Sequence, residues 1–251
     1  MSAARPVVVA VIPARDEAAV IGTVVTSLLA LDDGAGPRIA GVVVCDNGSR
    51  DGTAEVAREA GARVVREDTP GYGAACLAAL AAIGPCDIVL FVDGDGSVDP
   101  TDVPALLAEM ARGADMVIGW RPRAWQQPHA MGWAQRMGNL IAVALIVVLF
   151  GRRFRDLGPL RAIRTRSLAA LSMADRAYGW TVEMQVKALL AGCRIAEVPV
   201  HLRRRVGRSK ISGTWRGVFG AGTGIIGTVL ALRLASWAQR WRWTHRAGND
   251  A

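Results

Sequence analysis

Three short β-branched apolar runs, at residues 7–12, 39–44 and 88–92, each stop at a polar loop, and this repetition narrows the possible folds more than any other feature. A continuous apolar run suits a strand covered on both faces, as in a parallel sheet. Between the first two runs, Val20, Ile21, Val24, Val25, Leu28 and Leu29 recur at helical spacing, after an opening Arg15-Asp16-Glu17. A second helix is expected over 54–60, capped by Thr53, and a short strand over 62–65. Strand, helix, strand, helix, strand predicts a doubly wound α/β sheet whose ligands bind beyond the carboxyl ends of the strands. The loops after Ile12, Val44 and Val92 are therefore expected to meet at one rim.

Further elements follow in the same style. A helix runs from Tyr72 to Ile83, another from Asp99-Pro100 to Ala111, then come a strand over 115–119, a helix over 181–191 and an edge-type strand over 195–200. Residues 140–150 are almost purely aliphatic but about half the length that crosses a bilayer as a helix, so a buried or membrane-surface helix is expected there.

The third run delivers Asp93-Gly94-Asp95-Gly96-Ser97 to the rim. Glycine between the two acids keeps backbone bulk low, so both carboxylates can approach one ligand. Carboxylates that close repel unless a cation separates them, and hard oxygen donors suit Mg²⁺ or Mn²⁺ completed by substrate phosphates and water. The same residues also make an ordinary solvated turn, and the spacing alone leaves both readings open.

Charge sharpens the choice of partner. The 251 residues carry a net charge of +8, with arginines crowding the second half at 152–166 and 203–208, which points to an anionic partner: nucleic acid, acidic lipid or a phosphorylated substrate. Aromatic side chains do not interleave with these arginines as a base-stacking platform requires, and no nucleic-acid motif is present, so a nucleic-acid-binding protein is the remote alternative. Cys45, Cys76, Cys86 and Cys193 are scattered without metal-ligand spacing, which favours a reduced, cytoplasmic chain, and no export signal is visible.

Residues 1–215 are read as one catalytic domain and 216–251 as an apolar helix with a Trp- and Arg-rich tail. The stretch 218–232 is uncharged, and Arg233, Trp237, Arg240, Trp241, Arg242, Trp243 and Arg246 follow it. Tryptophan mixed with arginine beside an apolar helix suits the headgroup layer, so a surface-lying helix is expected; a short transmembrane span and a helix packed on the sheet stay open.

Five motifs in order then resemble a known family: Val11-Ile12-Pro13-Ala14-Arg15-Asp16-Glu17, the segment 45–53 beginning Cys45-Asp46-Asn47-Gly48-Ser49, Val92-Asp93-Gly94-Asp95-Gly96-Ser97, Arg155-Asp156-Leu157-Gly158-Pro159-Leu160-Arg161-Ala162, and Arg205-Val206-Gly207-Arg208-Ser209-Lys210. Together they resemble an inverting family 2 glycosyltransferase of the polyprenyl-phosphate, dolichyl-phosphate mannose synthase-like branch. The resemblance implies a GT-A-type, nucleotide-sugar-binding fold, transfer of a hexose from a UDP- or GDP-linked donor to a polyprenyl phosphate, and a Mg²⁺ or Mn²⁺ cofactor. A hydroxyl on a lipid, glycan or small metabolite is the alternative acceptor.

The resemblance also assigns residues. Pro13, Ala14, Arg15 and Glu17 match the first nucleotide-binding loop; Asp46, with Gly48 and Ser49, matches the segment whose carboxylate accepts from a ring N–H of the base. Asp93 and Gly94 lie by the ribose and metal, and Asp95 is the direct metal ligand. Ser97 stands where that branch commonly carries a glutamine as a further ligand, so metal geometry is expected to differ. Arg121, Arg123 and Arg136 fall where such enzymes meet the acceptor phosphate, and Arg205, Arg208 and Lys210 where charge on the departing nucleoside diphosphate is stabilised; a solvated basic face is the alternative for these arginines. Glu183 reads either as a base for a hydroxyl acceptor or as a carboxylate favoured at a helix start. Phosphate is already anionic at neutral pH, so a phosphate acceptor needs no strong base. The site is expected on the cytoplasmic face of a membrane; the oligomeric state is not legible.

Overall fold

A computed structural model describes residues 5–31, 37–206 and 224–237. It contains a seven-stranded sheet in the order β3-β2-β1-β4-β6-β5-β7. The strands are β1 (Val7–Ala14), β2 (Arg38–Asp46), β3 (Arg63–Arg66), β4 (Ile88–Phe91), β5 (Met116–Trp120), β6 (Leu160–Arg164) and β7 (Ile195–Pro199). All neighbours run parallel except β6, which is antiparallel to both β4 and β5. This is the expected α/β, mainly parallel architecture.

Alternation along the central strand sorts the core into two layers. Val8, Ala10 and Ile12 pack with Ile21, Val25 and Leu28 of α1 (Ile21–Leu29) and with Leu106 and Met110, whereas Val9 and Val11 face the opposite layer with Ala75, Ala79, Val182 and Val186. Side chains such as Ile21, Val25 and Leu28 are wholly buried, each worth roughly 1.5–3 kcal/mol relative to exposure. The remaining helices are α2 (Thr53–Glu59), α3 (Tyr72–Ala81), α4 (Val103–Ala111), α5 (Trp133–Phe150), α6 (Thr165–Leu171), α7 (Trp180–Leu190) and α8 (Gly224–Trp237).

Two local expectations are corrected. Thr53 does not cap α2: Gly52 occupies the cap position, Thr53 is fully buried in the first turn, and its hydroxyl oxygen accepts from the Glu17 amide at 2.8 Å. A tertiary acceptor role has displaced the local one. The aliphatic stretch 140–150 is the second half of an 18-residue helix, because Trp133, Gln135, Arg136 and Asn139 continue the same helix in the direction of its N-terminus. With a mean hydropathy of 1.7, α5 is the one helix among the described residues long and apolar enough to cross a membrane, and only Ala142 and Ile146 on it are buried. The opposite face is bare: Val148 is 78 % exposed and Leu140 60 %.

Candidate active site

The carboxyl ends of β1, β2 and β4 bring the expected loops together, and their joinery is polar. Asp16 donates its amide to Ser49 Oγ (2.9 Å), its carboxylate accepts from the Arg50 amide (2.7 Å), and the Ala18 amide donates to Asp51 Oδ2 at 3.2 Å. Ser49 therefore braces the first loop against the second. Buried Asp46 accepts the Ser49 amide on Oδ1 at 2.9 Å, in a turn that places Gly48 at φ +73°. Asn47 carries more structure than the sequence suggests. Its amide nitrogen donates to Glu67 and Thr69 carbonyls and its Oδ1 accepts from the Gly71 amide, so one side chain pins the whole 67–71 loop.

The third loop meets the first by close approach. A Cβ on Gly94 would lie 3.2–3.3 Å from Ile12 Cγ2, Ala14 Cβ and the Pro13 carbonyl oxygen, so only glycine lets the loop rest there undisturbed. Pro13 and Ala14 thus form the wall beside the acidic pair, while Arg15 is half-exposed and 4.0 Å from Asp16. Asp95 accepts the Ser97 amide on Oδ1 at 3.0 Å, which fixes Ser97 directly beside the pair in a buried position. Asp93 Oδ1 accepts the Tyr72 hydroxyl at 3.0 Å. Burial, and then the charge of Asp95, push the Asp93 carboxyl up to about 7.

From beyond β7, the segment 202–206 runs across this rim. Arg203 and Val206 donate their amides to the carbonyls of Ser97 (2.8 Å) and Asp95 (3.2 Å), and the Arg203 side chain bonds Asp99. Arg205 then reaches in: its Nη2 lies 3.2 Å from buried Glu17 Oε1 and 3.6 Å from Asp95 Oδ2. Its Nε is buried and finds no hydrogen-bond partner among the described residues. A guanidinium at the edge of an acidic pair is placed to meet an anion there. Arg208 and Lys210 lie outside the described residues.

The remaining expected residues divide. Arg121 is not available to an incoming phosphate as supposed: Asp156 grips it at 2.6 Å and 2.7 Å through Nε and Nη2 and also accepts its backbone amide, and both side chains are buried. Arg123 is exposed, and Arg136 is exposed in the first turn of α5, 3.3 Å from Gln126 Oε1. Glu183 is held on several sides. Its carboxylate is buried and accepts the amides of Ala174 and Asp175 and the Lys187 ammonium at 2.7 Å, which is the structural alternative at the start of α7.

Beneath the pair lies a polar layer that sequence reasoning missed. Arg161 is 2 % exposed and donates to the carbonyls of Gly158 and Thr181 and to Gln185 Oε1, all neutral acceptors, and burial lowers its pKa to about 10. Gln185 in turn donates to the Asp156 carbonyl at 3.0 Å. Its one signal in the sequence is an arginine set among apolar residues, Leu160-Arg161-Ala162-Ile163.

Oxygen donors from two neighbouring acids, one with its carboxyl raised by burial and then by the other's charge, fit a hard divalent cation. Among the described residues no group of three or more His, Cys, Asp or Glu side chains forms a self-sufficient metal cage. A cation held by Asp93 and Asp95 would complete its shell from phosphate and water.

The sheet order and the acidic rim define a GT-A-type transferase fold. Residues 9–175 match the family described as Glycosyl transferase family 2, and the chain belongs to that family. It is 41 % identical over 177 residues to an uncharacterized glycosyltransferase of Mycobacterium tuberculosis, covering 70 % of this chain and 79 % of that one. It is 30 % identical to the dolichyl-phosphate hexose transferase of Haloferax volcanii over 87 % of this chain and 92 % of the relative. Among solved structures it is similar to glucosyl-3-phosphoglycerate synthase from Mycobacterium tuberculosis in complex with Mn²⁺, UDP-glucose and phosphoglyceric acid, at TM-score 0.73 and 26 % identity over 91 % of this chain and 80 % of the other.

Proposed function

We propose that this family 2 glycosyltransferase moves a hexose, with inversion, from a UDP- or GDP-linked sugar to a polyprenyl phosphate at the cytoplasmic surface of a membrane. One observation carries the choice of acceptor. The bare apolar helix α5 leads straight away from the arginines of the site, through Arg136 on Gln126, whose Nε2 donates to the Arg121 carbonyl, and through Asn139, whose side chain accepts the Leu157 amide. A lipid lying along such a helix would present its phosphate at the rim. The name of the Haloferax relative supports the same class of acceptor.

In this reading Asp46 accepts a ring N–H of the base, and Asp93 and Asp95, with Ser97 beside them, hold Mg²⁺ or Mn²⁺ on the donor's diphosphate. The cation supplies charge neutralisation for the departing nucleoside diphosphate. Arg205 answers the same negative charge from the protein side, with Arg208 and Lys210 following it, while Arg123 and Arg136 receive the acceptor phosphate. That phosphate attacks as an anion, and positioning in line with the anomeric carbon is the main demand on the chain. The engagement of Glu183 with Lys187 and two amides agrees with a reaction that needs no carboxylate base.

A soluble phosphorylated acceptor is the second reading, favoured by the likeness to glucosyl-3-phosphoglycerate synthase. The deciding experiment offers UDP-glucose and GDP-mannose, with Mn²⁺, to the enzyme beside polyprenyl phosphate in vesicles or 3-phosphoglycerate in solution. Sugar recovered in the lipid phase supports the proposal, and transfer to phosphoglycerate alone overturns it. Replacing Val148 and Leu140 with glutamate is expected to leave folding intact and abolish vesicle binding.

A further inference from the structure

Tyr72 belongs to no motif above, yet its side chain bonds directly to an acid of the pair. Its phenol is partly buried and donates to Asp93 Oδ1 at 3.0 Å. We propose that Tyr72 is a positioning residue for the donor's cation: its hydroxyl engages one oxygen of Asp93 and restricts the carboxylate to a single orientation at the rim. The inference rests on the metal-bound donor of the preceding section.

The argument is one of rigidity. An aspartate after a strand end has free side-chain torsions, and a ligand that must adopt one rotamer loses affinity to the entropy of fixing it. A hydrogen bond to a carboxylate is among the stronger ones, so a fixed donor can do this fixing in advance. The donor must itself be immobile, and here it is. Tyr72 opens α3 between two glycines that are jammed against another loop: a Cβ on Gly71, at φ +151°, would fall 2.1 Å from the Arg176 carbonyl oxygen, and one on Gly73 would fall 2.0 Å from that of Asp175. The amides of Gly73 and Ala74 donate to the carbonyls of Ala177 (3.2 Å) and Arg176 (2.9 Å), and the Gly71 amide donates to Asn47 Oδ1 at 2.9 Å. The first turn of α3 is thus bolted on three sides, and the phenol inherits that fixity. The supporting loop is itself tied to α8, through Thr228 Oγ1 donating to Asp175 Oδ2 at 3.0 Å.

The test is a Mn²⁺ titration of the full chain saturated with UDP, and in a parallel series with GDP, read by calorimetry. Tyr72→Phe removes only the hydroxyl and is expected to weaken Mn²⁺ binding about 10-fold, the effect typical of losing a partner behind a metal ligand, while metal-free nucleotide binding and thermal melting stay near wild type. In an Asp93→Ala background the same change should add no further loss. Tyr72→Gln retains a donor and should lose less than Tyr72→Phe, which keeps the test valid if the phenylalanine variant folds poorly. Unchanged Mn²⁺ affinity in Tyr72→Phe, or an equal loss of metal-free nucleotide binding, overturns the positioning role. A wild-type protein whose nucleotide affinity ignores Mn²⁺ overturns the metal-bound donor itself, and that result is separable because it appears before any substitution.

Discussion

Arg205 Nη2 lies 3.2 Å from Oε1 of Glu17, a residue 188 positions earlier in the chain, and joins the first loop of the sheet to the last strap across it. The contact is a buried carboxylate answered by a partly buried guanidinium that also approaches Asp95.

Replacing Arg205 takes away the cation that Glu17 and Asp95 share. Arg205→Ala is expected to lower kcat/KM for the donor by about 10²-fold, the scale of losing one preorganised charge donor. Arg205→Lys should recover only part, because a shorter side chain with one compact ammonium has to move to reach the point where Nη2 meets both acids and lacks the guanidinium's remaining donors. Steady-state kinetics at fixed acceptor checks this; wild-type kinetics in Arg205→Ala would exclude a role at the diphosphate.

Asp156 and Arg121 make a different prediction, one of stability. Their paired side chains are 6 % and 9 % exposed, so Asp156→Asn strands a buried cation and is expected to cost roughly 3–5 kcal/mol of unfolding free energy. Urea denaturation measures it.

Glu183→Gln separates structure from chemistry. The carboxylate accepts backbone amides and the Lys187 ammonium, so its loss should cost about 1–3 kcal/mol in stability. The pH profile of kcat should keep its wild-type shape; a lost basic limb would restore Glu183 as a base.

Asp93 sets a pH dependence for the metal. Its folded-state value of about 7 lies above the ordinary carboxylate range, because of burial and then the charge of Asp95, so folding takes up a proton. Without metal, this group's contribution to stability is complete below the ordinary carboxylate value and is lost as pH rises through about 7. The cation requires the deprotonated form, so Mn²⁺ affinity runs the opposite way and should rise about tenfold from pH 6 to pH 8, with proton release on binding. Calorimetry in two buffers of different ionisation enthalpy reads that proton directly, and a flat profile would remove Asp93 from the metal shell.

The sheet was legible because β-branched runs such as Val42-Val43-Val44 admit few other fates, and the strand ends fixed where Asp46, Asp93 and Asp95 must gather. What could not be read was pairing between distant elements. Arg121 looked like an exposed phosphate ligand until β5 and the 154–159 loop set Asp156 beside it. Asn47 and Tyr72 act through loops that no periodicity links, and Thr53 had a local explanation that a tertiary contact overrode. The start of α5 was missed because Gln135, Arg136 and Asn139 interrupt its apolar pattern, and a helix that leaves one side bare shows no clean amphipathic stripe.

The reversed strand β6 has a consequence for how the protein is made. It sits between β4 and β5, yet the chain reaches it only after Trp133–Phe150 has been laid down, so Ile88 waits for Arg164 and Met116 for Ile163 before the two halves of the sheet can be joined. A nascent polypeptide on the ribosome therefore exposes unpaired strand edges on β4 and β5 and a greasy rod at the same moment, a combination prone to sticking. Synthesis beside a bilayer that shelters the rod would remove part of that hazard before β6 arrives.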